Sequence, residues 1–278
     1  MDLSLAEKLM HTTVRLECLL NNGRHSTGTG FFFSFKLDNN EIIPLIFTNK
    51  HVIENSSIGT ITLTTQGGDG SPVIGSHEKF SINNFESQWI KHPDPNVDLA
   101  AFPIAGLLNQ TAASGKKVFF MPIDDSLIPE PDVISNLNGI EDIIMIGYPN
   151  GIWDQVNNLP IVRRGITATN PKHNYNGLPV IIIDCACFPG SSGSPVLILN
   201  QGSYSDSKGN LSIGNRIIFL GVLYAGPQHE AEGEIRTIEV PLQQISISLS
   251  RIPNNLGFIV KSQKIKDFKN IIIAARKT

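Results

Sequence analysis

Residues 179–199 read PVIIIDCACFPGSSGSPVLIL, and this stretch indicates the fold more clearly than any other part of the chain. Two apolar runs rich in Val, Ile and Leu flank a short segment of Phe, Pro, Gly and Ser. Runs of β-branched residues bounded by turn formers are typical of buried strands. The stretch therefore predicts a strand, a tight turn and a second strand.

The same pattern recurs along the chain. Clusters of Gly, Asn, Pro, Asp and Ser, such as NNGRHSTGTG and QGGDGSP, separate apolar runs. With 24 glycines, 17 prolines and little helical periodicity, the pattern indicates an all-β sandwich or a pair of barrels. The predicted strands are 12–20, 30–36, 42–48, 59–64, 99–104, 117–121, 142–148, 160–168, 179–187, 195–199, 216–226 and 235–240.

An acidic, Pro-containing and weakly periodic segment, residues 122–139, interrupts the strands. We expect it to be the crossover between two β-units, because no regular element is predicted within it. The first unit then spans residues 1–121 and the second spans 140–250. Residues 251–278 are predicted to form a C-terminal extension that is helical or irregular, and a short helix is expected near the N-terminus.

Composition excludes several classes of partner. The 278 residues carry a net charge of −3, so no overall basic field attracts nucleic acid or anionic lipid. The N-terminal sequence MDLSLAEKLMHTTVRLE lacks the basic and apolar regions of a signal peptide, and no apolar run reaches eighteen residues. We therefore expect neither nucleic-acid nor membrane binding.

The chain has three cysteines, Cys18, Cys185 and Cys187. An odd number without framework spacing argues against a disulfide-bonded secreted domain. The Cys185–Cys187 pair has no second pair to complete a zinc site. The sequence predicts buried free thiols, a reducing cytoplasm as the compartment, and no metal or cofactor.

The turn between the two apolar runs carries a candidate nucleophile, Ser192, with Gly190 and Gly193 beside it. A nucleophilic serine needs an exposed hydroxyl and backbone N–H groups that face the developing oxyanion, and nearby glycines permit both. Ser192 is then the nucleophile, and the N–H groups of Gly190 and Ser192 form the oxyanion hole. Taken alone, the same residues fit an ordinary turn.

Two further segments supply the groups that a serine nucleophile requires. His51 follows the apolar run IPLIFT in the sequence TNKHVI, where it can face a cleft and accept the serine proton. Asp98 opens the apolar run DLAAF, and a buried carboxylate there needs a donor such as the His51 ring. Asp94 is the competing carboxylate, and its place between two prolines suits a turn.

The blocks TNKHVI, VDLAAFP and PGSSGSPV, in the order His, Asp, Ser, resemble the catalytic blocks of chymotrypsin-like (trypsin-fold) serine peptidases. GTGFFF before the histidine, together with MIGYPNG and VRRGI after residue 140, is similar to the bacterial high-temperature-requirement branch. The resemblance covers residues 12–245. It implies an all-β fold of two six-stranded antiparallel Greek-key barrels, the first carrying His51 and Asp98 and the second carrying Ser192.

The resemblance also implies a substrate site. Ala186 occupies the base of the primary specificity pocket, Cys187 and Gly226 line its walls, and Tyr224-Ala225-Gly226 pairs with the substrate backbone. Without a carboxylate at Ala186, an uncharged and apolar side chain is the expected substrate residue. Members activated by a new N-terminus carry an acidic residue where this chain has Ser191, so that switch cannot operate here.

Two hypotheses of different classes follow. The first is a cytoplasmic bacterial serine endopeptidase that acts on a protein or peptide through an acyl-enzyme, as an effector that a protein activator switches on. The alternative is a trypsin-fold binding module, or latent pseudo-protease, that docks peptides without cleaving them. The complete triad favours the enzyme, because a binding role requires neither His51 nor Ser192.

Overall fold

The computed structural model describes residues 3–37, 40–226, 228–233, 248–253 and 255–275. Within these residues, one nine-stranded sheet and one closed six-stranded barrel dominate the fold. Two small two-stranded sheets are attached to them. The all-β, double-barrel fold class predicted from the sequence is confirmed.

The first sheet is built by the N-terminal half of the chain. Its path runs β5-β4-β1-β2-β3-β7-β6, while β8 pairs with β4 and β9 pairs with β2. It has more than the six strands predicted, because β5, an exposed edge strand of mixed composition, and the two-residue strands β6 and β9 lack a clear apolar run. The strands are β1 (Thr13–Leu20), β2 (His25–Lys36), β3 (Ile42–Thr48), β4 (Ser56–Gln66), β5 (Pro72–Asn83), β6 (Ile90–Lys91), β7 (Ala100–Pro103), β8 (Val118–Phe119) and β9 (Ile123–Asp124).

The second sheet closes on itself in the order β10-β11-β12-β19-β16-β13, with every neighbour antiparallel. Three consecutive strands are followed by three in reversed order, which is a Greek-key arrangement. Its strands and the short flanking ones are β10 (Asp142–Gly147), β11 (Ile161–Thr167), β12 (Val180–Asp184), β13 (Pro195–Asn200), β14 (Ser203–Ser205), β15 (Leu211–Ile213), β16 (Arg216–Ala225), β17 (Gln228–Gly233), β18 (Ser248–Pro253) and β19 (Leu256–Lys261).

The position of β19 corrects the predicted end of the second unit. We placed residues 251–278 in an extension, but β19 lies between β12 and β16 and closes the barrel. Its apolar residues pair on both sides, so the run Leu256–Lys261 is a central strand rather than a tail. The strand predicted at 235–240 lies outside the described residues.

The helices are short and lie at the ends or between strands. Ser4 and Glu7 form a capping box at the start of the first helix. No helix in the described ranges is long and apolar enough to cross a membrane. The helices are α1 (Leu5–Met10), α2 (Lys50–Ile53), α3 (Ala105–Ala113), α4 (Pro131–Ser135) and α5 (Asp267–Ala275), with 3-10 turns at Phe85–Gln88, Asp125–Leu127, Pro149–Gly151 and Ser262–Ile265.

The largest apolar core lies where the two sheets meet. Phe31 and Phe47 of the first sheet pack in one cluster with Phe219 of the second, and the Phe31 and Phe219 ring centroids are 5.4 Å apart. Phe268 of α5 completes the cluster against Phe47, at 5.0 Å. This shared core holds β2 and β3 against β16, the strands next to the predicted functional residues.

Candidate active site

His51 lies in the short helix α2, immediately after the buried strand β3. Thr48 and Asn49 are both fully buried, so the chain leaves the core at a fixed point before it turns. Asn49 has extended backbone angles and begins the helix. The His51 side chain is 44% exposed at the end of this rigid strand.

Asp98 is in direct contact with His51. Asp98 Oδ2 lies 2.5 Å from His51 Nδ1, and Asp98 Oδ1 accepts the His51 backbone N–H at 3.3 Å. Asn49 Nδ2 donates to the Asp98 backbone carbonyl at 2.7 Å. The carboxylate is therefore held at both oxygens and the ring is oriented by it. Asp94 instead accepts the Asn96 N–H at 2.9 Å within its turn.

Ser192 lies in the Ser192 turn (residues 186–194), between β12 and β13. The Thr29 N–H donates to the Ser192 carbonyl at 2.9 Å, which fixes the backbone of the turn against β2. The Ser192 side chain is half-buried. Its hydroxyl has no hydrogen-bond partner among the described residues, and none joins it to His51.

The same part of β2 contacts both the His51 segment and the Ser192 turn. A side chain on Gly28 would overlap Val52, the residue after His51, while one on Gly193 would overlap the Thr29 carbonyl oxygen. Thr48 Oγ1 donates to that same carbonyl at 2.7 Å. Glycine at both positions therefore permits the close approach of the two segments.

The two predicted oxyanion-hole donors are free of other partners. Pro189 O accepts the Asn150 N–H at 2.6 Å, and Gly190 has a φ of +83°. In a trans peptide the N–H points opposite to the carbonyl, so the Gly190 N–H faces away from Asn150. Within the described residues, neither this N–H nor that of Ser192 donates a hydrogen bond, so both can receive an anion.

The predicted pocket residues lie around the same turn. A Cβ on Gly226 would stand 3.4 Å from Cys187 Cβ, so Gly226 lies beside Cys187. Tyr224 and Ala225 end β16 just after Leu223, which accepts the Gly193 N–H at 2.8 Å. Burial raises the pKa of the Tyr224 hydroxyl, and the nearby Asp98 charge raises it further.

The sequence did not single out three residues that organise the site. These are Thr29, Asn49 and Arg163. Arg163 Nη1 donates to Ala186 O at 2.5 Å and to Ser191 Oγ at 2.9 Å. The alternation of side chains along a strand could have indicated Arg163. Val162, Arg164 and Ile166 are exposed, so Arg163 lies on the opposite, inward face of β11. No sequence pattern indicated the roles of Thr29 and Asn49.

All three cysteines are free and buried, as predicted. Burial raises the pKa of both Cys18 and Cys187 to about 12, so neither thiol ionises near neutral pH. In the part of the chain that the structure describes, no group of three or more His, Cys, Asp or Glu residues is arranged to hold a metal ion.

Comparison with known proteins gives one family match. Residues 28–204 match the family model described as a trypsin-like peptidase domain. No curated protein matches the sequence.

Among solved structures, the active form of the Rv3671c protease from M. tuberculosis shares 17% identity, with 92% of this chain and 78% of that chain covered and a TM-score of 0.43. The HtrA-type protease AlgW, solved with a tripeptide, shares 17% identity at a TM-score of 0.49, with 95% of this chain covered. The chain spans 60% of the AlgW chain.

The matched residues include the three catalytic blocks TNKHVI, VDLAAFP and PGSSGSPV, together with the GTGFFF segment before them. They amount to more than half of the chain. The chain therefore belongs to the trypsin-like peptidase domain family and is a serine peptidase.

Proposed function

We propose that the chain is an endopeptidase that cleaves peptide bonds through a triad of His51, Asp98 and Ser192. The contact of 2.5 Å between His51 Nδ1 and Asp98 Oδ2 carries this proposal. It leaves Nε2 as the free ring nitrogen, on the side of the imidazole opposite to Asp98. A base oriented in this way is what a serine hydroxyl requires to become a nucleophile.

The reaction follows from these positions. His51 Nε2 takes the proton of the Ser192 hydroxyl as its oxygen attacks the scissile carbonyl carbon, and the ionised Asp98 stabilises the imidazolium. The imidazolium then gives its proton to the leaving amine, and an acyl-enzyme remains on Ser192. Water, deprotonated by His51, attacks the ester and releases the acid product.

The N–H groups of Gly190 and Ser192 stabilise the tetrahedral oxyanion. Their freedom from other partners supports this role. Loss of one such donor typically lowers the rate by about 10²–10³-fold. The hydroxyl attack and the oxyanion hole therefore both depend on the conformation of the Ser192 turn.

The primary pocket favours a small, uncharged substrate side chain. Ala186 offers no carboxylate at its base, and Gly226 lies beside Cys187, where a Cβ would stand 3.4 Å from the Cys187 Cβ, so both walls are small and uncharged. Tyr224 and Ala225 lie at the end of β16, where they can pair with the substrate backbone. We therefore expect cleavage after small apolar residues rather than after Lys or Arg.

Three buried free thiols support a reducing, intracellular setting for this activity. A latent form that docks peptides without cleaving them is the second candidate. The observation that favours it is the lack of a hydrogen bond between Ser192 and His51, both of which the structure describes. A protein activator that brings the Ser192 hydroxyl into hydrogen-bond contact with His51 would reconcile the two candidates.

A peptide library tests the proposal. Wild type, Ser192→Ala and a control, Ser203→Ala on the exposed β14, are incubated with proteome-derived peptides, and the new termini are identified by mass spectrometry. We expect cleavage by wild type and Ser203→Ala, mainly after small apolar residues, and none by Ser192→Ala. Cleavage that survives in Ser192→Ala would refute the triad, while binding without cleavage by all three would favour the latent form.

A further inference from the structure

Arg163 spans the Ser192 turn from inside the second barrel. A single nitrogen, Nη1, donates to the carbonyl of Ala186 at 2.5 Å and to the hydroxyl of Ser191 at 2.9 Å. Ala186 begins the turn, and Ser191 immediately precedes Ser192. One guanidinium therefore joins the start of the Ser192 turn to the residue that precedes the proposed nucleophile.

This arginine is an unusual group to bury. Its Nε and Nη2 atoms are buried and have no hydrogen-bond partner in the part of the chain that the structure describes. Across the described ranges, no carboxylate pairs with it. Cys185 and Cys187 are its electrostatic neighbours, but burial raises the pKa of each thiol, so they remain neutral. A charge buried without a counter-ion costs free energy that the neighbouring hydrogen bonds offset only in part.

Burial and contacts together limit what Arg163 can do. Its two unpartnered nitrogens are closed to solvent, so a substrate carboxylate cannot reach them in this conformation. Among the described residues, the hydrogen bonds of its side chain go only to the Ser192 turn. Burying this charge costs free energy. In the described residues, the structural effect that accompanies this cost is that the guanidinium holds the backbone path of residues 186–191.

Other hydrogen bonds also anchor the turn. Thr29 binds the Ser192 carbonyl through its N–H and the Gly190 carbonyl through its hydroxyl, and the Gly193 N–H donates to Leu223 O. The Asn150 N–H holds Pro189 O at 2.6 Å and so sets the direction of the Gly190 N–H. Arg163 holds the positions on either side of this peptide, at Ala186 and Ser191. If the arginine contacts are lost, the other hydrogen bonds of the turn remain, but Ala186 O and the Ser191 hydroxyl lose the side chain that joins them.

We propose that Arg163 is a positioning residue that holds the Ser192 turn with the Gly190 and Ser192 N–H groups facing the substrate. The inference rests on the proposed function for its catalytic consequence. In this arrangement, an internal cation from β11 orders the turn. Arg163 itself touches neither substrate nor reacting atoms.

The test compares Arg163→Met, Arg163→Lys and Arg163→Ala with Arg164→Met. Arg164 is the matched control, because it is the next residue of β11 and its exposed guanidinium pairs with Asp142 at 2.9 Å. Arg163→Met should fold, since an apolar residue of similar size often replaces a buried charge without loss of stability. Far-UV circular dichroism and Tm verify the fold of each variant.

Kinetics on a peptide that wild type cleaves give the first readout. Arg163→Met should lower kcat by about 10²–10³-fold, the loss expected for a misplaced oxyanion donor, with KM little changed. Millimolar guanidinium should restore part of the rate to Arg163→Ala, and Arg164→Met should match wild type. An unchanged kcat in folded Arg163→Met would overturn the proposal. So would a loss of cleavage confined to acidic substrates, which would make Arg163 a substrate-binding group.

Hydrogen exchange separates this proposal from the proposed function. Amides of residues 186–194 should exchange faster in Arg163→Met than in wild type and Arg164→Met, whether or not the protein cleaves peptides. If wild type proves inactive but this difference is seen, the triad proposal fails and the role of Arg163 stands. Equal exchange in all three proteins would refute the role of Arg163 on its own.

Discussion

Asp98 contacts His51 through both of its carboxylate oxygens, whereas Asp94, four residues earlier, serves its own turn. Asp98→Asn should leave the fold intact but reverse the donor and acceptor roles at His51 Nδ1. The resulting wrong tautomer should lower kcat by about 10⁴-fold. Steady-state kinetics on a cleaved peptide measure the loss.

Asp94→Asn is the matched control for this substitution. An asparagine oxygen can still accept the Asn96 N–H, so the turn should persist and kcat should stay within a few-fold of wild type. Equal losses in the two variants would mean that the turn as a whole, rather than the Asp98 carboxylate, sets the rate.

Gly193 and Gly209 both have left-handed backbone angles, with φ of +87° and +82°, but their surroundings differ. A Cβ at Gly193 would overlap the Thr29 carbonyl, whereas nothing lies within 4 Å of one at Gly209. Gly193→Ala should therefore lower the free energy of unfolding by several kcal/mol, against about 1 kcal/mol for Gly209→Ala. Chemical denaturation compares the two, and similar losses would show that β2 does not pack closely against the Ser192 turn.

Strand β19 is the element whose role the sequence predicted least well. Ile259 is fully buried in the barrel core, whereas Ile213 of β15 is 91% exposed. Ile259→Ala should lower the free energy of unfolding by about 2–5 kcal/mol, because it leaves a cavity in a central strand. Ile213→Ala should change it by less than about 0.5 kcal/mol. Denaturant titration measures both, and a mild effect at Ile259 would remove β19 from the barrel.

Elements with a strong periodic signal were predictable from the sequence. The strands β1, β3, β10 and β13 agree closely with the predicted runs, because each is buried on at least one face and rich in apolar residues. Strand β5 and helix α3 were missed, since β5 is an exposed edge strand and α3 buries little of its surface. Tertiary pairing, which no local pattern encodes, decides these elements.

The sequence could predict those residues of the candidate site whose side chains lie in short motifs. His51 and Asp98 fall in contact as expected from the order of the blocks. Thr29 bonds to residues of the Ser192 turn more than a hundred positions away in the chain, and Asn150 bonds to Pro189 about forty positions away. Spacing in the sequence could not indicate either contact. Arg163 was visible only as an inward position on β11.

Thr29 of β2 forms hydrogen bonds to residues of the second half of the chain. The geometry of the proposed site therefore requires both sheets to be folded and packed together. Its hydroxyl donates to Gly190 O at 2.9 Å and accepts the Tyr148 N–H at 3.1 Å, while its own N–H binds the Ser192 carbonyl. The first sheet thus supports the Ser192 turn directly, and the proposed site depends on both sheets.

Thr29→Val keeps the shape of the side chain and removes these hydroxyl contacts. It leaves the buried Tyr148 N–H without its acceptor, so we expect a loss of about 1–3 kcal/mol in the free energy of unfolding. A fall in kcat should accompany it, because Gly190 loses support. Thr60→Val, at a half-buried position in β4, is the control. Equal stability and kcat in both variants would contradict the role of Thr29.

Covalent labelling of Ser192 tests the central claim most directly. A fluorophosphonate reacts with a serine only when a base activates the hydroxyl and an oxyanion hole accepts the phosphonyl oxygen. Peptide mapping by mass spectrometry should find one adduct in wild type, on the peptide that contains Ser192, and none in Ser192→Ala. An adduct that persists in Ser192→Ala, or wild type that stays unlabelled while a reference serine peptidase reacts fully, would contradict it.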